Sequence, residues 1–205
     1  MIVVVDYGLG NLRSVAKALE AAGGDVRVSG DAADVRQAER IVLPGQGAFP
    51  DCMAQLDASG LREALADEVQ AKGKPFLGIC LGLQVLAADS DEGGLHAGLG
   101  WYPAHVRRLR PADPALKLPH IGWNEITFDV TTPLARGLKQ APIVYFDHSY
   151  QLEAEQPELV AARCDYGGSF CAALQRDNVF ATQFHPEKSQ DVGLRVLRNF
   201  LAWNP

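Results

Sequence analysis

The chain has 205 residues, of which 47% are hydrophobic and 21% are charged. Both fractions lie near the averages of globular proteins, which argues against a disordered chain and against a small disulfide-stapled protein. The 19 Lys and Arg residues against 25 Asp and Glu residues give a net charge of −6, so no chain-wide basic surface is available for nucleic acid or an anionic membrane. We therefore expect one globular domain over residues 1–205, with no nucleic-acid partner and no membrane partner.

The cellular location is predicted from the first residues and from the cysteines. Residues 1–5 show no basic segment, no extended apolar segment and no cleavage site of a signal peptide, and no apolar run approaches the ~20 residues of a spanning helix. We expect a cytoplasmic protein. Cysteine spacing fits neither C-x-x-C nor a zinc site, so individual thiols are favoured over two disulfides. The cysteines are Cys52, Cys80, Cys164 and Cys171.

The first half of the sequence alternates short apolar strands with helical segments. Continuous apolar strands separated by helices indicate a parallel sheet that is covered on both faces. The predicted elements are a strand over 2–5, a helix over 11–22, strands over 26–28 and 41–43, a helix over 61–71, a strand over 75–79 and a helix over 81–87.

The second half is rich in short strands divided by Pro, Gly and Asp, which predicts antiparallel or mixed pairing. We expect an α/β fold with a mostly parallel central sheet, flanking helices and additional antiparallel strands in the C-terminal half. Because ligands of such sheets bind at the carboxyl ends of the strands, the turns at Gly8, Pro44, Gly78 and His185 should converge on one site. The predicted elements are strands over 106–109, 125–128, 143–146, 159–163, 169–175 and 179–184, and a helix over 191–203.

The sharpest local motif is Gly78-Ile79-Cys80-Leu81-Gly82, which lies between a predicted strand and a predicted helix. Small residues on both sides permit a tight turn that lifts the central side chain out of the sheet, and the N-terminus of the helix favours the thiolate. The motif predicts a nucleophilic cysteine. A cysteine buried in the sheet is an equally good interpretation of this motif alone.

A second motif, His185-Pro186-Glu187, follows the last apolar strand. A cysteine nucleophile needs a base, and a histidine base needs a partner that fixes its tautomer and orientation. Taken alone, His-Pro-Glu is more typical of a helix start, with proline in the first turn. Together with the cysteine motif, the pair is better interpreted as a base and its orienting acid.

The loop Gly45-Gln46-Gly47 follows the third apolar strand. Its glycines can bring backbone N–H groups close to a bound carbonyl, which an oxyanion hole requires. A strand-to-helix turn without any ligand remains the alternative at this point.

These residues together resemble the class I, triad-type glutamine amidotransferases, whose fold is flavodoxin-like. The resemblance extends, almost end to end, to the glutaminase subunits of imidazole glycerol phosphate synthases in histidine biosynthesis. Gln46 departs from the pattern, because a small apolar residue is frequent there. The motifs that carry the resemblance are G-I-C-L-G-L-Q at 78–84, P-G-Q-G at 44–47, H-P-E at 185–187, D-Y-G-L-G-N-L-R-S at 6–14, H-I-G-W-N at 120–124 and Y-F-D-H-S-Y at 145–150.

The resemblance implies a role for each motif. Cys80 would attack the side-chain amide of glutamine to form a thioester, with His185 moving protons and Glu187 orienting it. The implied oxyanion hole comprises Gly45, Gln46, Gly47 and Leu81. The implied glutamine-binding residues are Gln84, Glu92, Ser149 and Tyr150; on sequence alone Glu92 is better interpreted as a solvated loop acid.

The resemblance also implies a partner, a cyclase subunit with a (β/α)8 barrel. This subunit would form a heterodimer with the chain and use the ammonia to make imidazole glycerol phosphate and aminoimidazole carboxamide ribotide. The implied interface residues are Asn11, Trp123, Asn124 and Lys188. Without the resemblance, Trp123 and Asn124 are better interpreted as a core aromatic and a turn former.

Two other functions remain open, and no cofactor or metal is expected. The alternatives are the glutaminase subunit of another class I enzyme, such as anthranilate or aminodeoxychorismate synthase, and a catalytically silent interaction subunit. The first half of a dinucleotide fingerprint at Gly8 and Gly10 lacks its third glycine, because Arg13 stands there. The histidines His96, His105 and His120 are scattered without metal-ligand spacing.

Overall fold

The computed structural model describes residues 1–129 and 131–205, which fold into two sheets with helices on both faces of the larger one. The strands are β1 (Ile2–Val5), β2 (Val26–Ser29), β3 (Arg40–Gly45), β4 (Phe76–Cys80), β5 (Asp89–Ser90), β6 (His96–Ala97), β7 (Ala104–Arg108), β8 (His120–Phe128), β9 (Ile143–His148), β10 (Tyr150–Ala154), β11 (Val160–Asp165), β12 (Ser169–Arg176) and β13 (Val179–Thr182). The α-helices are α1 (Leu12–Ala21), α2 (Ala32–Gln37), α3 (Phe49–Ala58), α4 (Leu61–Leu65), α5 (Leu81–Gln84) and α6 (Gln190–Ala202).

The larger sheet has the strand order β2-β1-β3-β4-β13-β12-β11-β8-β9. The first five strands of this order are mutually parallel, as in flavodoxin-like doubly wound folds, and the remaining pairs are antiparallel. The smaller sheet has the order β10-β7-β5-β6. The expected α/β class, with a parallel N-terminal part and antiparallel strands added in the C-terminal half, is confirmed.

Both faces of the parallel sheet are buried, which explains its continuous apolar strands. In β1, Val3 and Val5 face one core, while Ile2 and Val4 face the other. The buried residues of α3 and α4 belong to the first core, and those of α1 and α6 belong to the second. Hydrophobic burial on two sides holds the strand ends that carry the candidate site.

Several predicted elements need correction. Helices α2 and α3 and strands β5, β6 and β10 are present in the structure but are not among the elements predicted from the sequence. The predicted strand over 41–43 continues to Gly45, and the predicted helix over 61–71 is α4 followed by a π-helical segment, Ala66–Ala71.

The predicted helix over 81–87 ends at Gln84. Beyond this point the carbonyls of Val85, Leu86 and Ala87 accept hydrogen bonds from N–H groups of residues 99–102 instead of continuing the helix.

Two further findings concern the cysteines and the membrane. All four cysteines are buried free thiols, as predicted. In the described part of the chain, no helix is both long enough and apolar enough to cross a membrane.

Candidate active site

The candidate site is a cleft of about 340 Å³ at the carboxyl ends of β3, β4 and β13. This is the edge at which ligands bind in open α/β sheets, as the sequence analysis expected. The cleft brings together predicted residues between Gln46 and His185, but Gly8, the first of the four turns predicted to converge, is not part of its lining. Its lining consists of Gln46, Gly47, Cys80, Leu81, Gln84, Glu92, Pro119, Asp147, His148, Ser149, Tyr150 and His185.

Cys80 lies on a strained turn between β4 and α5. Its backbone has φ 56° and ψ −106°, and positive φ is unusual for a residue with a side chain. Glycine is required at both flanking positions, Gly78 and Gly82, because a Cβ atom there would clash with backbone carbonyl oxygens. A Cβ on Gly82 would lie 1.9 Å from the carbonyl oxygen of Leu43, and one on Gly78 would lie 2.5 Å from that of Gly82. The geometry is that of a nucleophile elbow.

His185 and Glu187 form a buried pair beside Cys80. The Nδ1–H of His185 donates to Oε1 of Glu187 at 2.7 Å, and their side chains are only 3% and 2% exposed. Burial lowers the pKa of His185, but the hydrogen-bonding and charge interactions with Cys80, and then with Glu187, outweigh it and raise this pKa to about 10. The arrangement therefore favours a protonated His185 beside the sulfur of Cys80.

The predicted oxyanion residues are neighbours of Cys80 in the cleft or in the sheet. Gly45 is paired with Cys80 in the register of β3 and β4, and a Cβ there would lie 2.6 Å from that of Leu81. Leu81 is the first residue of α5, where backbone N–H groups lack helical partners. Across residues 1–129 and 131–205, the N–H groups of Gln46 and Gly47 donate to no other backbone group.

Two of the predicted glutamine-binding side chains are anchored by the protein. Oε2 of Glu92 accepts a hydrogen bond from the N–H of Phe49, the first residue of α3, at 2.8 Å. Nε2 of Gln84 donates to the carbonyl of Tyr150 and to Oε1 of Gln183, both at 3.0 Å. The amide hydrogens of Gln84 are thus used internally, and its carbonyl oxygen is left for a ligand.

The sequence predicts no site role for His148 and no partner for His120. The structure pairs the two rings: Nδ1 of His120 and Nε2 of His148 are 3.1 Å apart, and Nδ1 of His148 lies 2.8 Å from the carbonyl of Tyr150. Because a carbonyl only accepts, His148 donates through Nδ1 and accepts from His120 through Nε2. The pair follows from the register of β8 and β9, which sequence patterns do not specify.

The four predicted interface residues fall into two groups. Trp123 is 48% exposed, so its interpretation as a core aromatic is wrong; its ring packs edge-on against Tyr145 at 5.8 Å. Nζ of Lys188 lies 5.4 Å from the centre of the same Tyr145 ring. By contrast, Asn11 caps α1 through the N–H of Ser14, and Asn124 lies within β8 and not in a turn.

The geometry of the site does not point to a metal. Among residues 1–129 and 131–205, no group of three or more His, Cys, Asp and Glu side chains could hold a metal ion.

Comparison with known proteins gives the class. The profile of the family "Glutamine amidotransferase class-I" matches residues 3–203. Solved structures share the fold: a crystal structure of a glutamine amidotransferase has a TM-score of 0.76 at 19% identity, covering 98% of this chain and 97% of that one. A chain in the structure of PurLQS from Thermotoga maritima has a TM-score of 0.73 at 22% identity, covering 98% and 96%. The chain belongs to the class I glutamine amidotransferases.

Curated relatives show which group of class I glutamine amidotransferases the chain is most similar to among those compared. The imidazole glycerol phosphate synthase subunit HisH of Syntrophotalea carbinolica is 54% identical over 205 residues, which cover 98% of both chains. The subunit of the same name from Nitrosomonas europaea is 48% identical and covers 100% of this chain and 99% of its own. Within its class, the chain groups with the HisH subunits over its full length.

Proposed function

We propose that the chain hydrolyses the side-chain amide of glutamine and delivers the ammonia to a cyclase subunit of imidazole glycerol phosphate synthase. The observation that carries this proposal is the strained Cys80 elbow beside the buried His185–Glu187 pair, in one cleft. The match to HisH relatives favours this function over the anthranilate or aminodeoxychorismate branch. The complete triad argues against a silent interaction subunit.

The reaction proceeds in two halves on Cys80. The thiolate attacks the amide carbon, a carbon–sulfur bond forms, and the carbon–nitrogen bond breaks as protonated His185 gives its proton to the departing ammonia. His185, now neutral, takes a proton from water, and the resulting hydroxide attacks the thioester. Glutamate leaves and the thiolate is restored. Glu187 holds the ring through Nδ1 so that Nε2 faces the sulfur side.

The tetrahedral intermediates of both halves carry a negative oxygen. We assign the donors to the N–H of Leu81 and to an N–H of Gln46 or Gly47, residues that line the same cleft as Cys80. In comparable sites, each such donor raises kcat by a factor of roughly 10²–10³.

Glutamine is held by complementary groups on the far side of the cleft. The carbonyl oxygen of Gln84 and the carboxylate of Glu92 accept hydrogen bonds from the substrate ammonium, while Ser149 and Tyr150 line the same cleft. The anchoring of Glu92 at the start of α3 fixes its carboxylate before the substrate arrives.

The partner is the cyclase (β/α)8-barrel subunit, in a heterodimer that closes the mouth of the cleft. Free ammonia is protonated and diluted in water. Its transfer to the second substrate is therefore efficient only when the cleft opens directly into the acceptor subunit. Trp123 and Lys188, which meet on Tyr145, together with Asn11 and Asn124, form the proposed interface. Residues 1–205 act as one amidotransferase domain, which the family match over 3–203 supports.

The test is glutamate production by the chain mixed with the cyclase subunit. We expect the wild type to be active and Cys80→Ser to be inactive but folded, because a hydroxyl is far less acidic than a thiol. Cys164→Ala, at another buried thiol outside the cleft, is the matched control and should retain activity. An active Cys80→Ser protein, or an inactive wild-type mixture, would contradict the proposal.

A further inference from the structure

Gln183 is a fully buried polar residue just beyond the end of β13, and neither the triad nor the glutamine-binding set includes it. Its backbone N–H donates to the carbonyl of Ala172, which fixes the main chain. It precedes His185 by two residues, and the chain bends at Gln183 and Phe184 after β13 ends. Both reach the sulfur of Cys80, where Nε2 of Gln183 lies 3.7 Å from Sγ.

The orientation of the Gln183 amide follows from its neighbours. The carbonyl of Tyr150 only accepts hydrogen bonds, so the Gln84 atom 3.0 Å from it is the nitrogen. That same nitrogen lies 3.0 Å from the side chain of Gln183, which must present its oxygen there. The amino group of Gln183 therefore points to Cys80, and the chain of donors runs in one direction towards the sulfur.

We propose, on the basis of the proposed glutaminase function, that Gln183 is a hydrogen-bond donor to the reacting sulfur that stabilises the Cys80 thiolate and ties it to Gln84 in the glutamine pocket. Donation to the charged form favours that form over the thiol. It also improves the sulfur as a leaving group when the thioester is hydrolysed. The Gln84 link keeps the donor in place, since a buried amide left without its partners would cost free energy.

The donor complements the charged groups around the sulfur. His185, two residues further along the chain, faces Cys80 and supplies the positive charge, with Glu187 hydrogen-bonded to the other side of its ring. Tyr7 approaches from the end of β1, but its hydroxyl is committed to the carbonyl of Pro44 and burial raises its pKa. The carbonyl of Asp147 lies 4.0 Å from the sulfur but only accepts hydrogen bonds, so it offers the thiolate no donor. Among the described residues, Gln183 is the neutral side chain that donates to the sulfur.

The experiment compares Gln183→Met, which removes the donor, with Gln183→Glu, which keeps the shape and the acceptor for Gln84 but replaces the donor with an acid. Gln175→Met on β12 is the matched control, because it makes the same change outside the cleft. The readouts are the rate of iodoacetamide alkylation of Cys80 against pH, and kcat and KM for glutamine in the mixture with the cyclase subunit. Cys52, Cys164 and Cys171 should not react with iodoacetamide, because burial raises the pKa of each thiol to about 12.

We expect both Gln183 variants to alkylate about 10–100-fold more slowly at neutral pH, with the pH profile displaced upwards, as for the loss of a hydrogen bond to a charged group. In both, kcat should fall by a similar factor with little change in KM, while Gln175→Met matches the wild type. Wild-type alkylation profiles in both Gln183 variants would overturn the proposal, even if their thermal stability falls. A wild type that alkylates with the expected variant difference, yet hydrolyses no glutamine, would refute the proposed function and not this inference.

Discussion

At the scale of single residues, the paired rings of His120 and His148 connect the cleft to the pH dependence of folding. Burial lowers the pKa of His120 to about 4 and that of His148 to about 3. The ring of His120 also stacks against Phe146 and Tyr166, at 4.8 and 3.9 Å between ring centres. Both imidazoles are therefore neutral in the folded protein at neutral pH.

The sign of the pH effect follows from these shifts. A histidine in the unfolded chain binds its proton near pH 6.5, whereas these folded rings bind theirs only near pH 3 to 4. Between these limits the unfolded state holds more protons, so the free energy of unfolding falls as the pH falls, by up to about 1.4 kcal/mol per pH unit for each ring. We expect a steep loss of stability between pH 6.5 and pH 4 in denaturant titrations.

The variant His120→Asn tests this expectation, because asparagine keeps a donor for His148. Its stability should fall less steeply over the same pH range, by up to about 1.4 kcal/mol per pH unit. His96→Asn, on β6, is the control and should keep the wild-type slope. If the free energy of unfolding had the same slope against pH in all three proteins, His120 would not be a cause of the loss of stability at low pH. His105 and His185, whose pKa values are raised, are present in all three proteins and cancel in the comparison.

At the level of elements, the loop peptide between Gln46 and Gly47 has few constraints. Gly47 has φ +102°, nothing lies within 4 Å of where its Cβ would be, and in the described segments the N–H groups of Gln46 and Gly47 donate to no other backbone group. The peptide between Gln46 and Gly47 can therefore rest with its carbonyl towards the sulfur, which removes the loop donor from the oxyanion. Binding of the partner would then select the donor orientation.

We expect the isolated chain to be a poor glutaminase and the cyclase subunit to raise kcat by roughly 10²–10³, the value of one oxyanion donor. Alkylation of Cys80 by iodoacetamide, which forms no oxyanion, is the control and should change little when the partner is added. High glutaminase activity without the partner would refute the hypothesis that partner binding turns the Gln46–Gly47 peptide into its donor orientation. A parallel rise in alkylation would assign the activation to the thiol instead.

Apolar periodicity and turn residues were sufficient to predict the parallel half of the fold and the turn at Cys80. The same kind of signal is present for helix α3, which was not predicted. Helix α3 has buried residues at Phe49, Cys52, Met53 and Leu56, which is helical spacing, and Pro50 lies in its first turn. This signal was present in the sequence. The early end of α5 was not predictable, because it depends on carbonyls that bond to the distant segment 99–102.

The same distinction holds for the site. Cys80, His185 and Glu187 lie in short motifs whose chemistry is visible in the sequence. His148 and Gln183 act through partners that are 28 and 103 residues away in the chain, His120 and Cys80 respectively. Such pairs depend on which strands become neighbours and in which register, and amino-acid patterns leave both open.

At the scale of the whole molecule, the exposed apolar side chains of β8 and β9 mark the proposed docking surface. Ile121, Trp123 and Ile143 are exposed large hydrophobic residues on these paired strands. Lys188 lies beside Trp123 across Tyr145, with its Nζ 3.8 Å from Oδ2 of Asp147 at the cleft. A barrel subunit seated here would cover both the apolar strip and the mouth of the active site.

We expect Trp123→Ala and Lys188→Ala each to weaken binding of the cyclase subunit by about tenfold or more, as for interface anchors, and to reduce ammonia transfer. Because Trp123 is half exposed, its variant should keep the thermal stability of the free chain. Leu95→Ala removes a side chain that is 79% exposed and lies outside this strip, so it serves as the matched control. Normal binding by both variants, measured by calorimetry, would place the interface elsewhere.

Covalent labelling with a glutamine-analogue electrophile, followed by peptide mapping, tests whether Cys80 is the glutamine-attacking nucleophile activated by His185. We expect one adduct, on Cys80, that free glutamine suppresses and that His185→Asn slows strongly. Cys52, Cys164 and Cys171 should remain unlabelled, because burial raises the pKa of each of these thiols. Dominant labelling of any of these three cysteines, or labelling of Cys80 that glutamine does not protect, would contradict this role of Cys80.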